Sequence, residues 1–152
     1  MDRLNGLDAE VIGEVTDAEI QIELATGVSA NWIESTSKPV GSAGLPEDRI
    51  SAIAWTNASK TLLVEVPENL EVAEPTFLKL DLSEIGAKAV HIFVRAGANS
   101  KATVVLDHIG SGSLAENVEI VLDSGAKLDF VSIQDWNRGS AHVSTQFTRL
   151  GK

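Results

Sequence analysis

Cysteine is absent from the 152 residues. No disulfide staples this chain, and no thiolate of its own can ligate a metal or act as a nucleophile. Tyrosine is absent too, and aromatics make up 5%. That is poor material for a carbohydrate cleft or a base-stacking platform. Basic residues are few: 12 Lys and Arg face 22 Asp and Glu, for a formal net charge of −10. Nucleic-acid binding depends on neutralising phosphates and is disfavoured, as is docking on anionic lipid. No apolar run approaches the roughly 18 residues of a membrane-spanning helix. The N-terminus, Met1-Asp2-Arg3-Leu4-Asn5, lacks a positive region followed by an apolar stretch, so no secretory signal is expected. A cytoplasmic location fits these absences.

What is present is a chain about one domain long, 43% hydrophobic. Residues 1–60 read as an N-terminal segment. Residues 1–10 are polar with scattered Leu, a frayed end or short helix. From Ala18 to Leu24 the chain alternates, with Ile20, Ile22 and Leu24 on one side and Glu19, Gln21 and Glu23 on the other, as in a half-buried strand. Residues 34–46 are small, polar and Gly/Pro-containing, the pattern of a mobile surface loop. Pro46 then opens a helical pattern over 47–58, with Glu47 and Asp48 in the first turn, Ile50, Ile53, Ala54 and Ala58 on one face and Lys60 near the end.

Residues 61–152 carry short β-prone runs closed by Gly/Ala/Ser/Asn turns. Leu62-Leu63-Val64-Glu65-Val66 stops at Pro67. Leu70-Glu71-Val72 and the run from Thr76 to Leu82 follow, the latter with Leu78, Leu80 and Leu82 inward. Runs at 90–94, 102–106, 118–122 and 128–133 succeed them, with no helical stripe between. Gly97, Gly125 and Gly151 recur at a period in the twenties, and glycine supplies the positive φ of a sharp corner. The pattern favours a solenoid of strands, and an antiparallel sandwich with turns every 8–12 residues or so reads similarly. The chain stops as a new turn begins, so a longer protein cut before its C-terminal cap is expected.

Several side chains could carry chemistry. Asp107-His108, beside Gly110-Ser111-Gly112, could be an acid/base or ligand pair, but strand neighbours face opposite ways, so a polar turn is the favoured reading. His91 and His142 could stack on successive rungs as a ligand column, against the default of surface or satisfied interior histidines. Asp123, Asp129 and Asp135 could do hydrolytic work on a polysaccharide, but no basic partner beyond Arg138 is evident, and solvated turn aspartates are favoured. Gln134-Asp135-Trp136-Asn137 reads as a rung corner with its Trp packed on the next coil. Ser111 and Ser113 have glycine neighbours but no following helix, which rules against a phosphate loop.

Two stretches carry a resemblance. Val64-Glu65-Val66-Pro67-Glu68-Asn69-Leu70-Glu71-Val72-Ala73-Glu74-Pro75 resembles the entry into the β-helix of the SufB/SufD family, scaffold proteins of SUF-system iron–sulfur cluster assembly. Gly125-Ala126-Lys127-Leu128-Asp129-Phe130-Val131-Ser132-Ile133-Gln134-Asp135-Trp136 is similar to its repeated Gly-Ala, strand, Ile/Val-Gln signature. The resemblance covers about residues 45–152, including a helix before the core. The missing cysteines favour SufD over SufB, and the wording around Asp107-His108 and Gln134-Asp135-Trp136 looks most like the actinobacterial SufD type.

The resemblance implies a mainly β fold, a right-handed parallel β-helix with a short N-terminal segment, incomplete at its C-terminus. It implies a non-catalytic scaffold that pairs with a SufB-like paralogue, and a C-terminal helical domain, missing here, that binds a SufC-like ATPase. A homodimer through the β-helix is a further expectation. The implied cargo is a transient iron–sulfur cluster, and some complexes of the family are thought to hold a flavin. No catalytic, cofactor-binding or metal-ligating residue carries over onto a position of this sequence. The competing expectation is a β-helix enzyme acting on polysaccharide.

Overall fold

The structure is a computed structural model and describes residues 15–82 and 86–151. The reading of residues 1–10 lies outside the described residues. Among the described residues, ten strands form two sheets: β1 Val15–Asp17, β2 Ile20–Glu23, β3 Ser29–Glu34, β4 Lys60–Val66, β5 Thr76–Leu82, β6 Ala87–Ala96, β7 Lys101–Gly110, β8 Ser113–Leu122, β9 Lys127–Trp136 and β10 Ala141–Leu150. One sheet runs β10-β8-β6-β4-β3, with β1 also on β6, and the other runs β2-β5-β7-β9. From β4 onward the chain alternates between sheets, and every pairing among these strands is parallel. The result is a parallel β-solenoid of about three turns. The sandwich alternative falls because its hairpins would pair sequence neighbours antiparallel. The antiparallel pairings described are those of β2 with β5 and β3 with β4.

Period two decides which side chains fill the interior. Leu62, Ile92 and Val118 share one register across the first sheet, and Val64, Val94 and Ile120 share another. Facing them, Leu78 pairs with Leu106 and Leu80 with His108. Apart from His108 these residues form the buried apolar core. The inward set expected for β5 is the one observed.

The corners are built differently from the glycine repeat read in the sequence. Gly97 and Gly151 are not equivalent to Gly125. The left-handed corner position is filled in turn by Asn69 (φ 60), Asn99 (φ 58) and Gly125 (φ 73). These stack directly, since Asn69 N donates to Ala98 O and Asn99 N to Ser124 O. Asparagine is among the few non-glycine residues that accept this conformation. Steps between coils also vary: Ala87 pairs with Ser113, 26 residues on, and Ser113 with Ala141, 28 on.

The helix α1, Arg49–Asn57, is shorter than expected. Asp48 is its N-cap, accepting from Ile50 N and Ser51 N, so Pro46 and Glu47 lie before the helix. Ile50, Ser51 and Ala54 are buried where α1 packs over β6 and β8. Asn117 Nδ2 donates to Ser51 O at 2.8 Å, and Trp55 lies on His91 with ring centroids 4.5 Å apart. The 34–46 stretch is irregular as expected but is not a free surface loop. Gly41 N and Ala43 N donate to the two carboxylate oxygens of Glu119, at 2.8 and 3.0 Å. Residues 70–72 form a single bridge, Glu71 to Lys101, rather than a strand. Among the described residues no helix is long and apolar enough to cross a membrane.

Candidate functional site in the solenoid interior

The interior changes character along the stack. The column that starts at Leu80 continues as His108 and then Gln134. Across the lumen, Val90 is followed by Glu116 and then Ser144, and Leu114 by His142. His108 and Glu116 therefore stand where the coil below carries Leu and Val. Their side chains are both fully buried, and His142 is 11% exposed. His108 is eight residues before Glu116, around the corner of Gly110-Ser111-Gly112. Gln134 is likewise eight before His142, around the next corner.

His108 thus occupies neither a turn nor the surface, as the polar-turn reading required. It is in the body of β7 and points inward, while Asp107 points away; the opposite facing of the pair is as expected. Charge on the two buried groups is mutually supporting. Burial pushes the His108 imidazole down, but the hydrogen bond and charge of Glu116, the Ile133 carbonyl and Asp107 raise it above its ordinary value. Burial likewise disfavours the Glu116 carboxylate. Hydrogen bonds from His108 and Ser144, with the His108 charge and the nearby His142 ring, hold it at about 2.

Hydrogen bonding fixes the orientation of each ring. The indole of Trp136 can only donate, and it donates from Nε1 to Gln134 Oε1. That sets the amide of Gln134, whose Nε2 donates to Ser132 Oγ at 2.8 Å. The same Oε1 lies 2.8 Å from His142 Nδ1, which must therefore carry a proton. His108 Nδ1 lies 2.9 Å from Ile133 O, which also only accepts. Gln134 Nε2 is 3.3 Å from that nitrogen, a longer contact between two donors. Both imidazoles thus turn Nε2 toward Glu116. His108 Nε2 is 2.7 Å from Oε2, and His142 Nε2 is 3.5 Å from Oε1. Ser144 Oγ donates to Oε1 at 2.6 Å. Trp136 closes the cluster, its ring 5.6 Å from that of His108 and 5.2 Å from that of His142. It is the last residue of β9, before the corner, and packs against the core and on His142 of the next coil, as its reading implied. Among the described residues, His108, Glu116 and His142 are the group whose ligand atoms, all within 4.8 Å of one another, could hold a metal ion.

The other candidates do not converge. His91 and His142 do not stack: His91 is in register with Asn117, and His142 with Leu114. His91 is buried on the outer side of its sheet, beneath α1, with Nε2 3.0 Å from Glu119 Oε1. Asp123 pairs with Arg95 at 2.9 Å. Asp129 and Asp135 are exposed within β9 rather than in turns. Six residues of strand separate them by roughly 20 Å, too far for paired carboxylates. Ser111 receives a hydrogen bond from Asn137 Nδ2, a link between successive corners. Glu116 escaped the sequence reading. Its signal was parity: Leu114, Val118 and Ile120 are inward, so an even-numbered glutamate among them had to be inward too.

Residues 81–152 match the family described as SUF system FeS cluster assembly, SufBD core domain. That stretch is a SufBD core. Over 151 residues, 99% of this chain, it is 34% identical to an iron-sulfur cluster assembly SufBD family protein of Mycobacterium tuberculosis. A SufBD family protein of Mycobacterium leprae is 31% identical over 154 residues. The chain spans 38% of the length of each of these relatives. No solved structure gives a significant match. The matched SufBD core begins within β5 and contains His108, Glu116, Gln134, Trp136 and His142.

Proposed function

We propose that this chain is part of a SufD-like, non-catalytic scaffold subunit of the SUF system. It pairs with a SufB-like paralogue and works with an ABC-type ATPase in the cytoplasm. The observation that carries this reading is the combination of a SufBD core with the absence of cysteine from all 152 residues. A transient iron–sulfur cluster is cargo of such an assembly, and these residues offer it no thiolate. Thiolate ligands then come from the partner or from other parts of the subunit, and the parallel solenoid supplies a rigid platform that holds them in register. Charge supports a protein partner over a nucleic acid, since a net charge of −10 repels phosphate.

The test is co-expression of the protein with the products of its neighbouring genes, followed by affinity capture. A stable complex with an ATPase and a cysteine-bearing paralogue is expected. Capture of the protein without either would overturn the scaffold reading. The polysaccharide-enzyme alternative has lost its support in the geometry, because its aspartates are dispersed.

A further inference from the structure

We propose that His108, Glu116 and His142 form a mononuclear site for a divalent first-row transition ion, Zn²⁺ or Fe²⁺, inside the solenoid. The site rests on the geometry of this chain and not on its role in cluster assembly. Three observations carry it.

The first is convergence. Two imidazole Nε2 atoms and a carboxylate, contributed by three different strands, bring their ligand atoms within 4.8 Å of one another. Two histidines and one carboxylate are a donor set that suits Zn²⁺ and Fe²⁺. With metal–ligand bonds of about 2.1 Å, adjacent ligand atoms sit roughly 3 Å apart in octahedral and somewhat more in tetrahedral geometry. The contacts of 2.7 and 3.5 Å from Glu116 to the two rings bracket that spacing.

The second is the outer support. Metal-binding histidines donate their other ring N–H to a carbonyl or carboxylate, which fixes the tautomer and aims the free nitrogen. Both rings do so here, His108 to Ile133 O and His142 to Gln134 Oε1. Gln134 is itself held by Trp136 and Ser132. This arrangement leaves the Nε2 lone pairs of the neutral imidazoles facing a carboxylate.

The third is an orphan. His142 Nε2 is buried and has no hydrogen-bond partner. A proton shared between His108 and Glu116 accounts for that pair alone. It leaves His142 Nε2 facing Glu116 at 3.5 Å with nothing to bind. A cation between the three groups satisfies all of them.

The experiment uses the purified protein, stripped with chelator and dialysed. Zn²⁺, Co²⁺ as a spectroscopic probe and, anaerobically, Fe²⁺ are titrated in by calorimetry and absorbance. One ion per chain is expected, with the d–d bands of Co²⁺ bound to nitrogen and oxygen and no acid-labile sulfide. His142→Gln removes one ligand at the least buried of the three positions and should weaken binding by at least 100-fold, while circular dichroism of the metal-free protein is unchanged. Gln134→Leu, which leaves all ligands in place, should weaken it by 10–100-fold. Absence of stoichiometric binding by all three ions overturns the proposal. So does binding that both variants retain at full affinity, or an ion that always arrives with equimolar sulfide. None of these outcomes depends on whether the protein captures SUF partners.

Discussion

His108 Nε2 lies 2.7 Å from Glu116 Oε2, with both side chains fully buried between two β-sheets. On the coil below, the same two columns hold Leu80 and Val90. Ionic and polar chemistry has been placed where hydrocarbon would fit. Breaking such a pair leaves a buried uncompensated group, whereas replacing both partners with apolar residues is often neutral or stabilising. Glu116→Val alone should therefore destabilise the metal-free protein by about 3–5 kcal/mol. The double variant His108→Leu/Glu116→Val, which copies the coil below, should recover most of that loss. Urea unfolding of the four proteins of the cycle reads this directly, and a double variant no more stable than the single would refute it.

The same pair sets the pH dependence of the chelator-treated protein. Glu116 is lowered from 4.5 to about 2 on folding. Its contribution to stability is present above 4.5 and is lost as pH falls from there toward 2. His108 is raised above 6.5, so its contribution is complete below 6.5 and disappears as pH rises through the raised value. The wild-type thermal midpoint should therefore decline on both flanks. In His108→Leu/Glu116→Val both declines should be shallower, and parallel curves for the two proteins would contradict the assignment.

On the outer side of the first sheet, Glu119 ties down the chain before α1. It accepts from Gly41 N, Ala43 N and His91 Nε2. Glu119→Ala leaves two backbone donors and a buried imidazole unpaired, which should lower stability by roughly 3–5 kcal/mol. Amide exchange at Gly41 and Ala43 should accelerate far more than exchange in β7, because the tether is lost before the solenoid opens. Uniform acceleration throughout would show instead that the segment has no independent opening.

The corner column offers a backbone test. A Cβ at Gly125 would come 2.4 Å from Asn99 Oδ1, at a φ of +73. Gly125→Ala should cost about 1–3 kcal/mol from strain alone, before the clash is counted. Asn99→Gly, in the same conformation one coil earlier, should change stability by less than about 1 kcal/mol. Equal losses in the two variants, measured by thermal unfolding, would rule out the left-handed corner as the cause.

Much of this architecture was legible from residue order. Alternation marked Leu78, Leu80 and Leu82 as inward, and the absence of a helical stripe after residue 61 left strands as the only reading. The helix was found, but its start was placed too early, because Pro46 and two acidic residues imitate a first turn when Asp48 is in fact the cap. Strands β1 and β3 were passed over: each is short, and each is held by pairing with a strand distant in sequence.

By itself, the sequence determined the local facts: which side of each strand faces in, where the chain turns, that no thiolate is present, and which family the core resembles. Alternation is a property of the backbone, and it holds whatever the strand packs against. What the sequence left open is which inward side chains meet. That depends on coil length, and coil length varies with corners such as the two residues that join β7 to β8 and the four that join β9 to β10. Only the stacked structure puts His142 beside Glu116 and His108 while sending His91 to the far side of the sheet. A lone glutamate in a run of Leu, Val and Ile becomes informative once its neighbours across the lumen are known.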